Sequence, residues 1–169
     1  MHRMILAVMI SLTLGAVALV LPISVFSNGL KCPQEEFLAV YYKGSNFNYQ
    51  SSSRCEHQPE NSSSLLTEGL PGGVGPDNFS VLWTGQFFFK DKTYIFEAEA
   101  DDGIRIWLDG HLIINEWRLQ EEAKRYRAIR SLKNGIHAIK IEYFNSSGKA
   151  VAKFSWKPHK HPIQIFYSF

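Results

Sequence analysis

Between Phe37 and Trp156 the chain is a succession of short apolar runs, each closed by turn residues, and this rhythm constrains the fold more than any other feature. Phe37-Leu38-Ala39-Val40-Tyr41-Tyr42 ends at Lys43-Gly44-Ser45-Asn46, and Tyr94-Ile95-Phe96-Glu97-Ala98-Glu99-Ala100 alternates as a half-buried strand should. Ile104 to Leu108 and His111 to Asn115 flank Asp109-Gly110, whose residues supply the positive φ angles of a tight hairpin turn. The simplest register sets Trp107 against Leu112, Arg105 against Ile114 and Ile106 against Ile113. Phe79 to Phe89 reads as one or two strands. Ile136–Phe144 and Val151–Trp156 follow, separated by Asn145-Ser146-Ser147-Gly148. Ser51 through Ser64 reads as a polar stretch, and Leu70 to Pro76 as a surface loop. Aromatic residues make up 14% of the chain, which in a helix-poor sequence of 169 residues favours a β-sandwich. The pattern predicts an all-β, antiparallel sandwich or barrel. One segment resists: Arg118 to Leu132 carries helix formers, with Glu121 four positions before Arg125, yet Tyr126, Ala128, Arg130 and Leu132 alternate. A sandwich needs cover over the neighbouring hairpin, so Lys124 to Leu132 is expected to be a strand.

The chain opens differently. From Met4 to Phe26 there is no charged residue, after a short basic start at His2 and Arg3. A run of this length can cross a hydrocarbon layer about 30 Å thick as a helix. We read residues 1–27 as an uncleaved membrane anchor in preference to a removed signal peptide, because the apolar run is longer than a signal peptide needs and Val25-Phe26-Ser27, a passable cleavage site, is not the Ala-x-Ala pattern. Arg3 on the inner side then places the remainder, a domain over 28–158 and a tail over 159–169, outside the cytoplasm or secreted. Export changes how Cys32 and Cys55 read. As the only two cysteines, they are expected to form a disulfide, with two buried free thiols as the alternative.

Several function classes drop out. A formal net charge of +2 without a Lys/Arg block does not describe a nucleic-acid binder. Gly72 to Gly75 lacks the following Lys-Ser/Thr of a phosphate loop and precedes a strand. There is no Gly-x-Ser-x-Gly, and the histidines show no metal-ligand spacing. Glu97, Glu99 and Glu142 are candidates for the paired carboxylates of glycoside hydrolysis only if separate strands bring them together. Outward-facing strand glutamates are the ordinary explanation, and no tuned acid–base pair is legible, so the chain does not read as an enzyme. Three sequons, at Asn61, Asn78 and Asn145, permit N-glycosylation in a eukaryotic secretory route. Asp101-Asp102-Gly103 has two readings. Asp and Gly close strands in turns, and paired carboxylates also suit a hard cation.

The ordered series of motifs adds a resemblance. Asp77-Asn78-Phe79-Ser80-Val81-Leu82-Trp83-Thr84-Gly85 leads through Tyr94-Ile95-Phe96 to Asp101-Asp102-Gly103-Ile104-Arg105-Ile106-Trp107-Leu108-Asp109-Gly110. Ile113-Ile114-Asn115-Glu116-Trp117, Gly135-Ile136-His137, Ile141-Glu142-Tyr143-Phe144 and Ala150 to Trp156 continue it. Together they resemble the protective-antigen 14-kDa domain, the module named after the anthrax toxin component, over nearly the whole exported part. The resemblance implies a β-sandwich of the kind found in adhesins, flocculins, glycosidase accessory regions and toxins. In its sugar-binding members two consecutive aspartates and a later asparagine hold calcium, which grips sugar hydroxyls, and a cis peptide joins the aspartates. Asp101 and Asp102 match the pair, and Asn145 matches the asparagine. The long insertion that shapes the sugar pocket of yeast adhesins is absent.

The expectation is therefore a membrane-tethered, extracytoplasmic module that binds carbohydrate or glycoconjugate through Ca2+ held by Asp101, Asp102 and Asn145. The rival is a non-catalytic interaction or accessory subunit of a membrane-associated complex, with a membrane protein partner. That rival draws on the tail, where Ile163, Ile165, Tyr167 and Phe169 alternate along one face.

Overall fold

The computed structural model describes residues 29–57, 64–66 and 69–159. Among the described residues nine strands account for the regular structure: β1 Glu36–Lys43, β2 Tyr49–His57, β3 Phe79–Phe89, β4 Lys92–Ala100, β5 Ile104–Leu108, β6 His111–Glu116, β7 Lys124–Leu132, β8 Gly135–Asn145 and β9 Ala152–Pro158. They form a six-stranded sheet in the order β2-β1-β3-β8-β5-β6 and a three-stranded sheet in the order β7-β4-β9. Every pairing is antiparallel. No helix among the described residues is long and apolar enough to cross a membrane. The expected anchor over residues 4–26 and the alternating tail from Ile163 to Phe169 lie outside the described residues.

Alternation builds the core. β3 turns Phe79, Val81, Trp83, Phe87 and Phe89 inward, and β8 answers with Ile139, Ile141 and Tyr143, all at most 2% exposed. β4 and β9 close the sandwich from the other side with Phe96, Ala98, Ala100, Ala152 and Phe154. Burying a side chain of this size contributes about 1.5–3 kcal/mol, and this face supplies most of the driving force. Gly85 occupies the inward position between Trp83 and Phe87. A Cβ there would lie 2.6 Å from the Phe87 ring and 2.8 Å from the Glu36 carbonyl oxygen, so only glycine fits.

Tertiary context settles the ambiguous segment as the strand β7, paired along its whole length with β4. Ala128 and Leu132 pack into the core while Ile129 stays 44% exposed. Two expectations need correction. The polar stretch from Ser51 begins inside β2, whose apolar pattern is weak because it is an edge strand that pairs, among the described residues, with β1 alone. The hairpin register also differs. Trp107 does face Leu112, but Ile106 faces Ile114 and Arg105 faces Asn115. Ile113 is the extra residue of a β-bulge, which turns Ile114 into the core at 5% exposure.

Cys32 and Cys55 are bonded, with Cα atoms 5.4 Å apart. The bond ties the segment before β1 to the edge strand β2. Closing a loop of 23 residues' separation contributes about 3 kcal/mol in the chain-entropy account.

Candidate functional site

The site forms where the chain passes between sheets. β4 belongs to one sheet and β5 to the other, so Asp101-Asp102-Gly103 is a crossover, and Ser146 to Val151 is a second one beside it. The Asp101 N–H donates to the Val151 carbonyl at 3.2 Å and the Phe144 N–H to the Gly103 carbonyl at 3.0 Å, which clamps the two links together. Gly103 is required by close packing, since a Cβ would lie 2.1 Å from the Phe144 ring. That ring is held in turn by an edge-on contact with Trp117 at 4.7 Å, and the Arg105 guanidinium lies 4.0 Å above Trp117.

Both aspartates are buried, Asp101 at 9% and Asp102 at 4% exposure. The Tyr143 hydroxyl and the Asp102 N–H donate to Asp101 Oδ1, at 2.7 and 2.9 Å. Burial first, and then the bond to Asp101 and its charge, push the Tyr143 hydroxyl far above the ordinary tyrosine range, so it remains a proton donor. Asp102 receives the Gln120 N–H on Oδ1 at 3.1 Å and the Ser146 N–H on Oδ2 at 2.7 Å. Asp102 therefore touches the residue that follows Asn145. The described residues contain no cis peptide, so the expected cis bond between Asp101 and Asp102 is corrected to trans. The two residues sit in a bend and not in an extended strand, and strict side-to-side alternation does not govern them.

Asn145 continues the inward series Ile139, Ile141, Tyr143 to the end of β8 and is fully buried. Its Nδ2 donates to the Pro76 carbonyl at 2.9 Å, while its Oδ1 has no hydrogen-bond partner. A buried, unpaired amide oxygen costs about 1–3 kcal/mol, so an orphan of this kind asks for an explanation. The same burial removes Asn145 as a glycan acceptor, while Asn78 is exposed. The Asn61 sequon lies outside the described residues.

Charge sharpens the point. The partners of the two carboxylates are amide N–H groups and a neutral hydroxyl, with no Lys, Arg or His paired to them among the described residues. Two adjacent buried carboxylates facing only neutral donors are a costly arrangement without a cation. No three His, Cys, Asp or Glu side chains converge among the described residues, so the candidate donor set is two carboxylates and one amide oxygen. An all-oxygen set with two negative charges suits a hard divalent cation.

Sequence reasoning named Asp101, Asp102 and Asn145 but missed the groups that hold them. Tyr143 stands in the Ile141-Glu142-Tyr143-Phe144 run as one more inward residue of a strand, with no local signal of its bond to Asp101. Gln120 and the Pro76 carbonyl carry no local signal, because only the fold brings the β6–β7 and β2–β3 links to this end.

Comparison with known proteins follows the same lines. A curated relative, the anti-sigma-I factor RsgI3 of Acetivibrio thermocellus, is 34% identical over 103 residues, covering 60% of this chain and 16% of its own length. A solved anti-sigma factor domain-containing protein superposes with a TM-score of 0.63 at 29% identity, covering 74% of this chain and 43% of the other. The chain thus spans less than half the length of either relative. The sugar-binding PA14 domain of an RTX adhesin shares the fold, with a TM-score of 0.53 at 17% identity over 73% of this chain and 89% of that domain. The PA14 domain family model matches residues 37–165, the stretch that contains the sandwich and both of its paired crossovers, and the chain belongs to that family.

Proposed function

We propose that the domain is a non-catalytic module that binds carbohydrate through a calcium ion held by Asp101, Asp102 and Asn145, on the extracytoplasmic side of a membrane. One observation carries the reading: two adjacent buried carboxylates without a basic partner lie against the end of β8, whose last residue, Asn145, carries a buried, orphaned amide oxygen. Calcium would neutralise the carboxylates and take the Asn145 oxygen, and as an ion of 6–8 ligands it would leave positions for sugar hydroxyls. The chain's own part is to hold the donors still. Ser146 and Gln120 orient Asp102, Tyr143 orients Asp101, and the Pro76 carbonyl engages the nitrogen of the Asn145 amide, which leaves its oxygen unpaired. The sugar-binding RTX adhesin domain of the same fold supports the ligand class. The Cys32–Cys55 disulfide supports an oxidising compartment, in keeping with an exported domain tethered by residues 1–27.

The likeness to anti-sigma factors favours a second reading, in which the domain is the interaction or accessory module of a membrane-associated protein complex. Calcium titration of the full chain by calorimetry separates the two, followed by a glycan array with and without chelator. The carbohydrate reading expects calcium binding, chelator-sensitive glycan retention, and loss of both in Asp102→Ala with the sandwich still folded. Absence of calcium binding in the wild-type chain would overturn it in favour of the interaction module.

A further inference from the structure

A second surface of the molecule carries unmatched charge. The outer face of the three-stranded sheet forms an open groove of about 470 Å³, lined by four cations, Arg125, Arg127, Lys153 and Lys157, and two carboxylates, Glu97 and Glu99. Register explains the mismatch. Glu99 stands between Arg125 and Lys153, whereas Glu97 stands between Arg127 and Ser155. Glu99 accepts from Lys153 Nζ at 2.9 Å and from Arg125 Nε at 2.8 Å, and these two bonds hold its carboxyl below the usual range. Glu97 is taken diagonally by Lys157 Nζ at 2.6 Å. Arg127, directly across from Glu97, is left without an ion pair among the described residues. Cross-strand charge ladders stabilise a sheet when opposite charges face one another. Here an exposed arginine faces a carboxylate already engaged elsewhere, and Arg125 spends only its Nε, leaving the terminal donors of its guanidinium.

We propose that this groove binds an anionic glycan chain, whose carboxylate groups seat on Arg127 and on the spare donors of Arg125, Lys153 and Lys157. Guanidinium groups present planar forks that match carboxylates in two parallel bonds. A neutral sugar face would call for an exposed aromatic platform, but Phe154 is 1% exposed and Tyr126, set across from the buried Ala98, packs against the core and donates its hydroxyl to Gln120. The same lack of a stacking surface disfavours single-stranded nucleic acid. The groove is separate from the aspartate crossover, although Glu99 at its upper end lies two positions before Asp101. The choice of a glycan among polyanions rests on the carbohydrate-binding reading; the anion site itself does not.

The test measures binding of the full chain to immobilised polygalacturonate, to a polyphosphate chain and to neutral dextran, with excess chelator present throughout. Wild type is expected to bind polygalacturonate, to lose it in high salt as the attraction is screened, and to ignore dextran. Arg127→Glu removes one fork and adds a like charge, so the expected loss of affinity is about tenfold. Lys43→Glu, an exposed cation on the six-stranded sheet, should leave binding unchanged. The chelator keeps this result independent of the calcium reading. Equal losses in Arg127→Glu and Lys43→Glu, or no loss in Arg127→Glu, would overturn the groove as the site. Binding to polyphosphate with none to polygalacturonate would overturn the glycan assignment.

Discussion

Glu56 offers the sharpest test of how the sandwich is held at its open edge. It projects from the edge strand β2 into the core and is only 6% exposed. Its Oε1 accepts the Tyr41 hydroxyl and Arg54 Nε, the latter at 2.7 Å, and its Oε2 accepts the Trp83 indole N–H at 2.8 Å. Arg54 passes the connection on, donating to the Tyr41 oxygen at 3.0 Å and to the Gly69 carbonyl at 2.7 Å. Burial, then the Glu56 bond and charge, raise the Tyr41 hydroxyl well above its ordinary range, so it is a donor at every relevant pH. Glu56→Ala leaves two fully buried donors, on Tyr41 and Trp83, without acceptors, at about 1–3 kcal/mol each. The Arg54 side chain is 24% exposed, so solvent screening limits its share to about 1 kcal/mol. The expected total is about 3–7 kcal/mol, a large part of the 5–15 kcal/mol that holds a typical domain together. Glu56→Gln keeps the volume and one oxygen but turns an amide N–H against a donor, at about 2 kcal/mol. Urea unfolding followed by tryptophan fluorescence, with the disulfide intact, measures both. A Glu56→Ala variant within about 0.5 kcal/mol of wild type, or one no worse than Glu56→Gln, would refute the reasoning.

Two further outcomes follow from the geometry. The His137 ring lies between two acceptors, with Nδ1 at 2.6 Å from Asp109 Oδ2 and Nε2 at 2.9 Å from the Lys133 carbonyl, so only the protonated ring satisfies both. Burial pulls its pKa down, but the Asp109 bond, the Lys133 bond and the Asp109 charge outweigh it and the net shift is upward. The stabilisation is therefore complete below the ordinary value of about 6.5 and is lost as pH rises through the raised folded value. Urea midpoints should fall across that window in wild type and stay flat in His137→Gln; parallel profiles would contradict this. Gly103→Ala drives a Cβ into the Phe144 ring that Trp117 backs, and should cost about 1–3 kcal/mol by thermal unfolding, together with any calcium affinity at Asp102. An unchanged melting temperature would show that the crossover is looser than described.

Features encoded at short range are legible in the residues alone. Period-two runs such as Tyr94 to Ala100 set strands and their buried faces, because the pleat sends alternate side chains to opposite sides. Asp109-Gly110 set the hairpin turn, with φ of 49° and 78°, and the lone cysteine pair named its own bond. Even the candidate aspartates were legible, since a turn between strands is a local signal. Tertiary structure alone decided the rest. β2 is a strand because β1 and the disulfide supply what its own residues lack, and Lys124 to Leu132 is a strand because β4 offers a partner along its full length. The bulge at Ile113, the orphaned oxygen of Asn145, the three donors around Glu56 and the uncompensated Arg127 depend on register and on which crossovers lie side by side. Those are contacts between residues far apart in the chain, and no local pattern encodes them, because the free energy that selects them arises only when the two sheets close on one another.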